Sequence, residues 1–247
     1  MKQILQDLRG GETELVEAPD PSVKRQHVLI RSRASLISAG TERMLVDFGR
    51  AGWIEKARQQ PEKVRQVIDK VKTDGLMPTI EAVRDKLSKP IPLGYCNAGT
   101  VIDAGEGVHG LKPGDHVVSN GPHAEAVCVP QNLCAKVPDA LFEASEDADA
   151  AFRQAAFTVL GAVALQGVRL AQPTIGETFA VTGLGLVGQL AVQILRANGC
   201  RVIGIDLQSD RVELAEQFGA EGVDAGAGQD PVATAQELTG GRGVDGV

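Results

Sequence analysis

Three glycines in the spacing Gly-x-Gly-x-x-Gly are the residues whose chemistry follows most directly from their positions in this sequence. Gly183, Gly185 and Gly188 follow a short apolar run and open a segment whose apolar residues recur at helical spacing. The first glycine permits a tight turn, the second lets the backbone approach a pyrophosphate, and the third lets the helix pack closely on its strand. Leu186 and Val187 begin the predicted helix, whose unpaired N–H groups and dipole would face that anion. The motif therefore predicts dinucleotide binding.

A carboxylate ends the second strand-like run of the same unit. Asp206 follows Gly183 at about the 20-residue distance expected of a ribose-binding acid. Its carboxylate would accept hydrogen bonds from both ribose hydroxyls of NAD and would repel the 2′-phosphate of NADP. Arg211 could stack on the adenine or contact a phosphate, although an exposed helix arginine is an equally ordinary interpretation. These features favour NAD over NADP, and the alternative is a structural glycine turn in another α/β protein.

The elements around these groups form two different patterns, and the predicted fold class is α/β. Residues 1–150 contain short alternating runs and frequent Gly, Pro and Asp turns, which predict a β-rich domain. The predicted strands are 27–32, 98–102, 116–118 and 124–129, with a turn at 103–107. A helical insertion is expected at about 44–90, where apolar residues show helical spacing within 61–72 and 80–87. Residues 151–247 alternate helix and strand patterns, which predict a doubly wound domain.

Composition limits the classes of function. The chain has 247 residues, enough for two domains with substantial cores. Its net charge of −7 argues against nucleic acid as the main partner, and its 3% aromatic content argues against base stacking. No apolar run approaches the length of a membrane span, and the N-terminus lacks the apolar core of a signal peptide. The four cysteines have no metal-site spacing and are predicted to be buried thiols in a reducing cytoplasm; they are Cys96, Cys128, Cys134 and Cys200.

The final residues predict an incomplete second domain. Residues 241–247 have the pattern of the approach to a fourth strand, and a doubly wound domain normally continues past that point. The expectation is therefore a fragment of a longer protein or a truncated reading frame.

Three blocks of the sequence resemble the medium-chain dehydrogenase/reductase superfamily, the relatives of the zinc-type alcohol dehydrogenases. The blocks are 92–117, 155–164, and the glycine fingerprint with Asp206. The resemblance covers nearly the whole chain. It implies a GroES-like first domain, a Rossmann second domain that is incomplete at its C-terminal end, an NAD-dependent oxidoreductase activity on a small molecule, and a homodimer.

The chain departs from that family at the positions of the catalytic zinc ligands. Ala39 stands where zinc members have a cysteine, Tyr95 stands where they have a histidine, and Thr158 lies at the domain junction. These residues do not supply the imidazole and thiolate groups that a catalytic zinc requires. The lone Cys96 is interpreted as a buried thiol. The chain is therefore predicted to be zinc-independent.

Without zinc, the substrate oxygen needs another partner. Tyr95 is a candidate because a phenol can donate a hydrogen bond and then a proton to a developing alkoxide, although a tyrosine could also simply fill the vacated ligand position. Ser38 and Thr41 could relay a proton or contact the ribose, and turn or capping roles are equally ordinary for them. His123 could titrate near neutrality but is interpreted as a bystander in a loop.

The segment after Thr41 resembles a subset of two-part oxidoreductases that carry a second Rossmann domain of the glucose-fructose oxidoreductase type. That resemblance implies a missing C-terminal domain and a polyol, sugar or nucleotide-sugar substrate. Two alternatives stay open. One is a zinc-free quinone or enone reductase, and the other is a non-catalytic nucleotide-binding module that serves a larger protein.

Overall fold

The structure, a computed structural model, describes residues 1–8, 10–51, 58 and 89–247. The chain forms two compact units, residues 1–156 and 157–247. The sequence-based boundary between 150 and 151 lies a few residues earlier, before the last helix of the first unit ends. The helices predicted within 61–72 and 80–87, and most of the helical insertion about 44–90, lie outside the described residues.

The first unit is built mainly from antiparallel strands. Its strands are β1 (Lys2–Gln6), β2 (Thr13–Glu17), β3 (His27–Ser35), β4 (Ile91–Pro92), β5 (Asn97–Ala104), β6 (His116–Ser119), β7 (Ala126–Pro130) and β8 (Cys134–Lys136). Its helices are α1 (Ala39–Arg50), α2 (Asp139–Ala144) and α3 (Ala148–Ala155), with a 3-10 turn at Gln131–Leu133. One sheet has the order β7-β3-β5-β6-β8, and a smaller one has the order β2-β1-β4.

The core of the larger sheet follows from the two-residue period of its strands. Val28 and Ile30 alternate with more exposed residues along β3, and both are fully buried. Ile30 pairs with Val101 on one side and with Val127 on the other. These β-branched residues form one apolar cluster, which fixes the register because a one-residue slip would expose every member.

The four predicted strands of this unit are present, but their ends differ from the prediction. β5 extends to Ala104, which pairs with Val28, so the turn predicted at 103–107 begins later. β7 begins at Ala126, because Ala124 makes only an isolated bridge to Gln3. The first helix begins at Ala39, earlier than the predicted insertion.

The second unit alternates helices with parallel strands. Its elements are α4 (Thr158–Ala171), β9 (Thr178–Thr182), α5 (Leu186–Ala197), β10 (Arg201–Asp206), α6 (Ser209–Gln217), β11 (Glu221–Asp224) and α7 (Pro231–Leu238). The parallel sheet has the order β11-β10-β9. Its core cluster comprises Val168, Phe179, Leu184, Val192, Leu195, Cys200, Val202, Val212, Ala215 and Ala220. The α/β fold class, with a β-rich unit followed by a Rossmann-like unit, is confirmed.

The last residues of the chain pair with the free side of β9. Gly246 forms a parallel bridge to Phe179, its carbonyl accepts the Ala180 N–H at 2.9 Å, and the Asp245 N–H donates to the Thr178 carbonyl at 2.8 Å. β9 therefore has β10 on one side and residues 245–246 on the other. The chain moves from β9 through β10 to β11 and then returns to the opposite side of β9, so the strand order reverses there. In doubly wound sheets this reversal is the topological switch point at which ligands bind.

One stretch is more apolar than the sequence prediction allowed. α3 and α4 follow each other closely, and the helical run Ala148–Ala171 is long and apolar enough, by length and composition alone, to cross a membrane. The sequence showed no uninterrupted apolar run because Asp149 and Arg153 lie inside it. Its two parts bury separate faces, including Phe152 in the first unit and Leu160 in the second. Core helices of soluble proteins also have this length and composition, so these two properties do not by themselves indicate a membrane span.

None of the four cysteines forms a disulfide bond, and they differ in burial. Cys96 and Cys200 are buried as predicted, whereas Cys128 and Cys134 are partly exposed. Burial nevertheless raises the pKa of the Cys134 thiol to about 11. That thiol is therefore protonated, and poorly nucleophilic, at neutral pH.

Candidate functional site

The glycine fingerprint lies in the turn between β9 and α5. Gly183 adopts a φ of +88°, in the left-handed region that favours glycine, and its N–H donates to the Ile205 carbonyl at 2.8 Å. A Cβ atom added at Gly183 or Gly185 would meet no atom within 4 Å, so the space above the turn is open. The first two glycines therefore leave the backbone accessible to a bound group.

The third glycine is required by a different contact from the predicted one. A Cβ on Gly188 would lie 2.0 Å from the carbonyl oxygen of Gly183, whereas the nearest strand atom, on Val181, would be at an ordinary 3.7 Å. Gly188 thus lets α5 approach the turn itself, more than the strand. This close approach places the beginning of the helix directly behind the turn.

The N-terminus of α5 carries no side-chain cap. Gly185 is its N-cap residue and has no side chain to accept from the first helical N–H groups. Leu186 and Val187 are 37% and 40% exposed. Because the first N–H groups of a helix have no intrahelical partner, this end offers donors and a positive dipole to an anion. The turn and the helix end together fit the pyrophosphate of a dinucleotide.

Asp206 ends β10 with its side chain held against the glycine turn. One carboxylate oxygen accepts the Leu184 N–H at 2.6 Å and the other accepts the Gln208 N–H at 2.9 Å. Arg211 lies 3.7 Å away and its side chain is 44% exposed. Burial alone would raise the pKa of Asp206, but the two N–H groups and the Arg211 charge outweigh it and keep that pKa below its usual value.

Gln189 is a residue of this site that the sequence prediction missed. Its side chain is buried, and its Nε2 donates to the Leu184 carbonyl at 3.2 Å and to the Arg211 carbonyl at 2.7 Å. It therefore ties the glycine turn to the first turn of α6. Its Oε1 is the only buried side-chain N or O atom without a hydrogen-bond partner in the described part of the chain. Gln189 shares the buried face of α5 with Val192 and Leu195, and the sequence prediction did not place it on an apolar face.

We expect acid to destabilise the second unit through its carboxylates. The hydrogen-bonded Arg201 guanidinium keeps the pKa of Glu221 low, and backbone N–H donors keep that of Asp206 low. A carboxyl whose folded pKa is depressed stabilises the fold above its ordinary pKa, here 4.5 for Glu221 and 3.8 for Asp206, and this contribution is lost as the pH falls through the lowered value. The urea concentration at the midpoint of unfolding should be constant between pH 7 and about 5 and should fall at lower pH.

The matched comparison for this acid effect is Glu221→Gln, with Glu213→Gln as its control. Glu221 has the Arg201 partner, whereas Glu213 is an exposed residue of α6. The first variant should lose part of the acid dependence and the second should retain all of it. Equal pH profiles for the first variant and the unaltered protein would show that the Arg201 contact contributes nothing to stability.

Gly188→Ala is expected to destabilise the second unit and to weaken dinucleotide binding. The added methyl group would meet a backbone carbonyl that cannot rotate away, so the turn or the helix must shift. Overpacking of this kind costs about 1–3 kcal/mol. Chemical unfolding measures the loss of stability, and calorimetric titration with NADH measures the loss of affinity.

Gly161→Ala is the matched control for this substitution. Gly161 also lies in a helix of the second unit, but a Cβ there would meet nothing within 4 Å. It should be neutral or slightly stabilising, since alanine favours helix more than glycine does. Equal stability and equal NADH affinity in the two variants would refute the contact between helix and turn.

The three predicted catalytic residues lie together in the first unit. The Tyr95 hydroxyl donates to Ser38 Oγ at 2.8 Å and lies 3.4 Å from Thr41 Oγ1. Ser38 is buried at the N-cap of α1, and Thr41 lies in the first turn of that helix. The structure thus shows where these residues lie, and their catalytic roles remain a prediction.

Two further polar residues of the first unit, Glu42 and His123, contact each other. The sequence prediction did not pair them. Glu42 and His123 are 6% and 7% exposed, and His123 Nε2 lies 2.9 Å from Glu42 Oε2. The other ring nitrogen, Nδ1, lies 2.8 Å from Ser35 Oγ. His123 does lie in a loop, as predicted, but it is a buried and fully hydrogen-bonded residue. The pairing joins segments 81 residues apart, and no local pattern signals it.

Ala39 and Tyr95 stand where the resemblance places two ligands of a catalytic zinc. Ala39 has no ligand atom, and the Tyr95 phenol is engaged with Ser38 and Thr41. Among the residues that the structure describes, no group of three or more His, Cys, Asp or Glu side chains could hold a metal ion.

Two protein-family models match parts of the chain. The model of the alcohol dehydrogenase GroES-like domain matches residues 65–139, and that of zinc-binding dehydrogenases matches residues 187–247. The chain has the medium-chain dehydrogenase/reductase fold. The two matches support its place in the zinc-type alcohol dehydrogenase-like family, as the resemblance implied.

Curated relatives of this dehydrogenase-like chain are named dehydrogenases. It is 32% identical over 184 residues to (R,R)-butanediol dehydrogenase of Bacillus subtilis, an alignment that covers 63% of the chain and 50% of that protein. It is 29% identical to L-threonine 3-dehydrogenase of the same organism, over 99% of the chain and 67% of that protein. The chain thus spans about half to two thirds of the length of these relatives.

Solved structures show the same fold at lower identity. Escherichia coli quinone oxidoreductase complexed with NADPH has a TM-score of 0.72 at 21% identity, over 99% of this chain and 64% of that one. The 2R,3R-butanediol dehydrogenase of Bacillus subtilis has a TM-score of 0.68 at 22% identity, over 97% of this chain and 67% of that one. At these identities the comparison supports the fold alone.

Proposed function

We propose that the protein is an NAD-dependent, zinc-independent oxidoreductase that transfers a hydride to or from a hydroxyl or carbonyl group of a small polyol, sugar or nucleotide sugar. The observation that carries the cofactor assignment is the geometry of Asp206, a charged carboxylate fixed beside an open glycine turn. The named dehydrogenases among the relatives support the reaction class. The substrate class rests on the resemblance to two-part oxidoreductases.

In this proposal NAD carries the hydride. The chain's own residues orient the cofactor and supply a proton to the substrate. The glycine turn and the uncapped N-terminus of α5 bind the pyrophosphate. Asp206 accepts the ribose hydroxyls and excludes a 2′-phosphate. Arg211, close to that carboxylate, contacts the adenine or a phosphate. The Tyr95 phenol, whose hydrogen is donated to Ser38 Oγ in the structure, turns that hydrogen to the substrate oxygen and then transfers it as a proton in the reductive direction.

A second candidate function is a quinone or enone reductase. The absence of a zinc donor set at Ala39 and Tyr95 favours it, and several structures of the same fold are named quinone oxidoreductases. One of those was solved with NADPH, whereas Asp206 here opposes a 2′-phosphate. We therefore place this function second. A non-catalytic nucleotide-binding module is the remaining alternative.

The cellular location, the oligomeric state, the partners and the further domains of the whole protein are also proposals. The resemblance favours a homodimer that acts on a small molecule, and the composition favours a cytoplasmic protein with neither nucleic acid nor a membrane as partner. The same resemblance favours a further C-terminal domain of the glucose-fructose oxidoreductase type. The net charge of −7 is consistent with a partner other than nucleic acid.

Activity and metal content together test the proposal. The purified protein is assayed for NADH oxidation against ketoses, aldehydes, enones and nucleotide sugars, and for NAD reduction with polyols. We expect turnover with a carbonyl or hydroxyl class that survives dialysis against a chelator. Turnover with enones alone would favour the reductase, and NADH binding without turnover on every class would favour the non-catalytic module. One tightly bound zinc per chain would refute zinc independence.

A further inference from the structure

We infer that Glu42 and His123 form a positioning pair that holds the Tyr95 hydroxyl in place from two directions. The inference deepens the proposed function, since its catalytic meaning rests on Tyr95 as the proton donor. Its structural content does not depend on that role. The two residues touch neither cofactor nor substrate in our proposal and act through the residues around Tyr95.

The first direction runs through the hydroxyl group of Tyr95. That hydroxyl donates to Ser38 Oγ at 2.8 Å, so the position of Ser38 decides where the phenol proton points. The Ser38 backbone N–H in turn donates to Glu42 Oε1 at 2.8 Å. Glu42 reaches back from the first turn of α1 to the N–H of the N-cap residue. The carboxylate thus fixes the backbone that carries the phenol's acceptor.

The second direction runs through the backbone beside Tyr95. Gly94 has a φ of +90°, and a Cβ there would lie 2.6 Å from the imidazole ring of His123. The peptide before Tyr95 therefore rests on the His123 ring at a distance that only glycine allows. The His123 N–H also donates to the Leu93 carbonyl at 2.8 Å. The ring and backbone of His123 together define the path of the chain into Tyr95.

A direct contact between Glu42 and His123 links these two supports of Tyr95. His123 Nε2 meets Glu42 Oε2 at 2.9 Å, and both side chains are more than nine-tenths buried. Because a carboxylate only accepts, Nε2 carries the hydrogen of this bond. Ser35 Oγ occupies the second ring nitrogen, which prevents the imidazole from rotating. Breaking a buried pair of this kind leaves an unpaired polar group, so its geometry is strongly held.

The arrangement positions Tyr95 and does not relay protons to it. Glu42 meets Ser38 through a backbone N–H, which does not exchange a proton with the carboxylate during catalysis. The connection from His123 to Tyr95 is therefore mechanical. This separates Glu42 and His123 from Ser38 and Thr41, whose hydroxyl oxygens lie within reach of the phenol.

The sequence offers a direct spectroscopic test, because Tyr95 is the only tyrosine in the chain. Tyrosine labelled with ¹³C at its hydroxyl-bearing carbon gives one resonance whose position reports the hydrogen bond of that phenol. Ser38→Ala removes the hydrogen-bond acceptor of the phenol. The resonance of this variant shows the position for a Tyr95 hydroxyl released from that bond. We expect Glu42→Gln and His123→Asn to move the resonance toward that released position.

Controls of the same residue types keep the test specific. Glu14→Gln and His109→Asn change an exposed glutamate and an exposed histidine of the same unit and should leave the resonance unmoved. If a variant of Glu42 or His123 fails to fold, Ser35→Ala provides the test. It removes only the hydroxyl that contacts His123 Nδ1, and it should shift the resonance less but in the same direction. A resonance that moves in Ser38→Ala but not in the folded pair variants, or not in Ser35→Ala, would overturn the inference.

Kinetics distinguish this inference from the proposed function. Glu42→Gln should lower kcat about 10-fold with little change in KM for NADH, because a misplaced proton donor affects the reacting step. If Tyr95→Phe leaves turnover unchanged while the resonance still moves in Glu42→Gln, the positioning pair stands and Tyr95's catalytic role fails. If Tyr95→Phe abolishes turnover while the resonance and kcat are unchanged in Glu42→Gln, the positioning pair fails alone.

Discussion

Tyr95→Phe is expected to lower turnover by about 100- to 10,000-fold with little effect on NADH affinity. The substitution keeps the ring and removes only the hydroxyl that Ser38 and Thr41 hold. A positioned general acid contributes about that factor to a proton-transfer step. The change should appear in kcat and kcat/KM alike, since the proton is needed only as the alkoxide develops. Steady-state kinetics with the substrate class found in the activity assay, together with calorimetric NADH binding, measure both quantities.

Two comparisons make the Tyr95 result interpretable. Ser22→Ala removes an exposed hydroxyl from the same unit and should leave turnover unchanged. Ser38→Ala keeps the phenol but removes its nearest partner, so an intermediate loss is expected. Unchanged turnover in Tyr95→Phe would mean that the tyrosine merely fills the position left by a ligand histidine. The substrate oxygen would then need a different proton donor.

The cofactor unit was largely predictable from the sequence because its elements are local. The strand, the glycine turn, the helix and Asp206 follow one another along about 30 residues, and each has its own signal of periodicity, glycine spacing or charge. Gly183 shows this most clearly: its positive φ and open surroundings are what the turn requires. The function of Gly188 was predicted less well, because which atom it approaches depends on the path of the folded turn.

The polar network of the first unit was not predictable, because its members come from distant parts of the chain. Glu42 lies in a segment rich in charges of both signs, where a solvated carboxylate is the ordinary expectation. It is buried because His123 and the Ser38 N–H satisfy it, and neither contact has a sequence signature. Gln189 was missed for a similar reason, because the carbonyls that it reaches, on Leu184 and Arg211, belong to other elements of the folded unit.

Asp206→Asn is expected to shift the preference between NAD and NADP by about 10- to 100-fold toward NADP, which corresponds to about 1.4–2.7 kcal/mol. Two effects act in the same direction. The negative charge that repels the 2′-phosphate is removed, and Arg211, now without its carboxylate partner at 3.7 Å, becomes available to that phosphate. The amide also loses one of the two backbone bonds from Leu184 and Gln208, because only one side of it accepts. NAD itself should therefore bind more weakly.

Dissociation constants for all four cofactor forms, measured by calorimetry in the unaltered protein and the variant, test this shift. Glu213→Gln removes the same charge from an exposed position on α6 and should leave the ratio of the two cofactors unchanged. Unfolding curves of Asp206→Asn separate a loose turn from a changed preference, because a loose turn weakens NAD and NADP equally. Tighter binding of NADP than of NAD by the unaltered protein would contradict the assignment. Arg211 would then be the residue that recognises the phosphate, with Asp206 serving only to hold the glycine turn through Leu184.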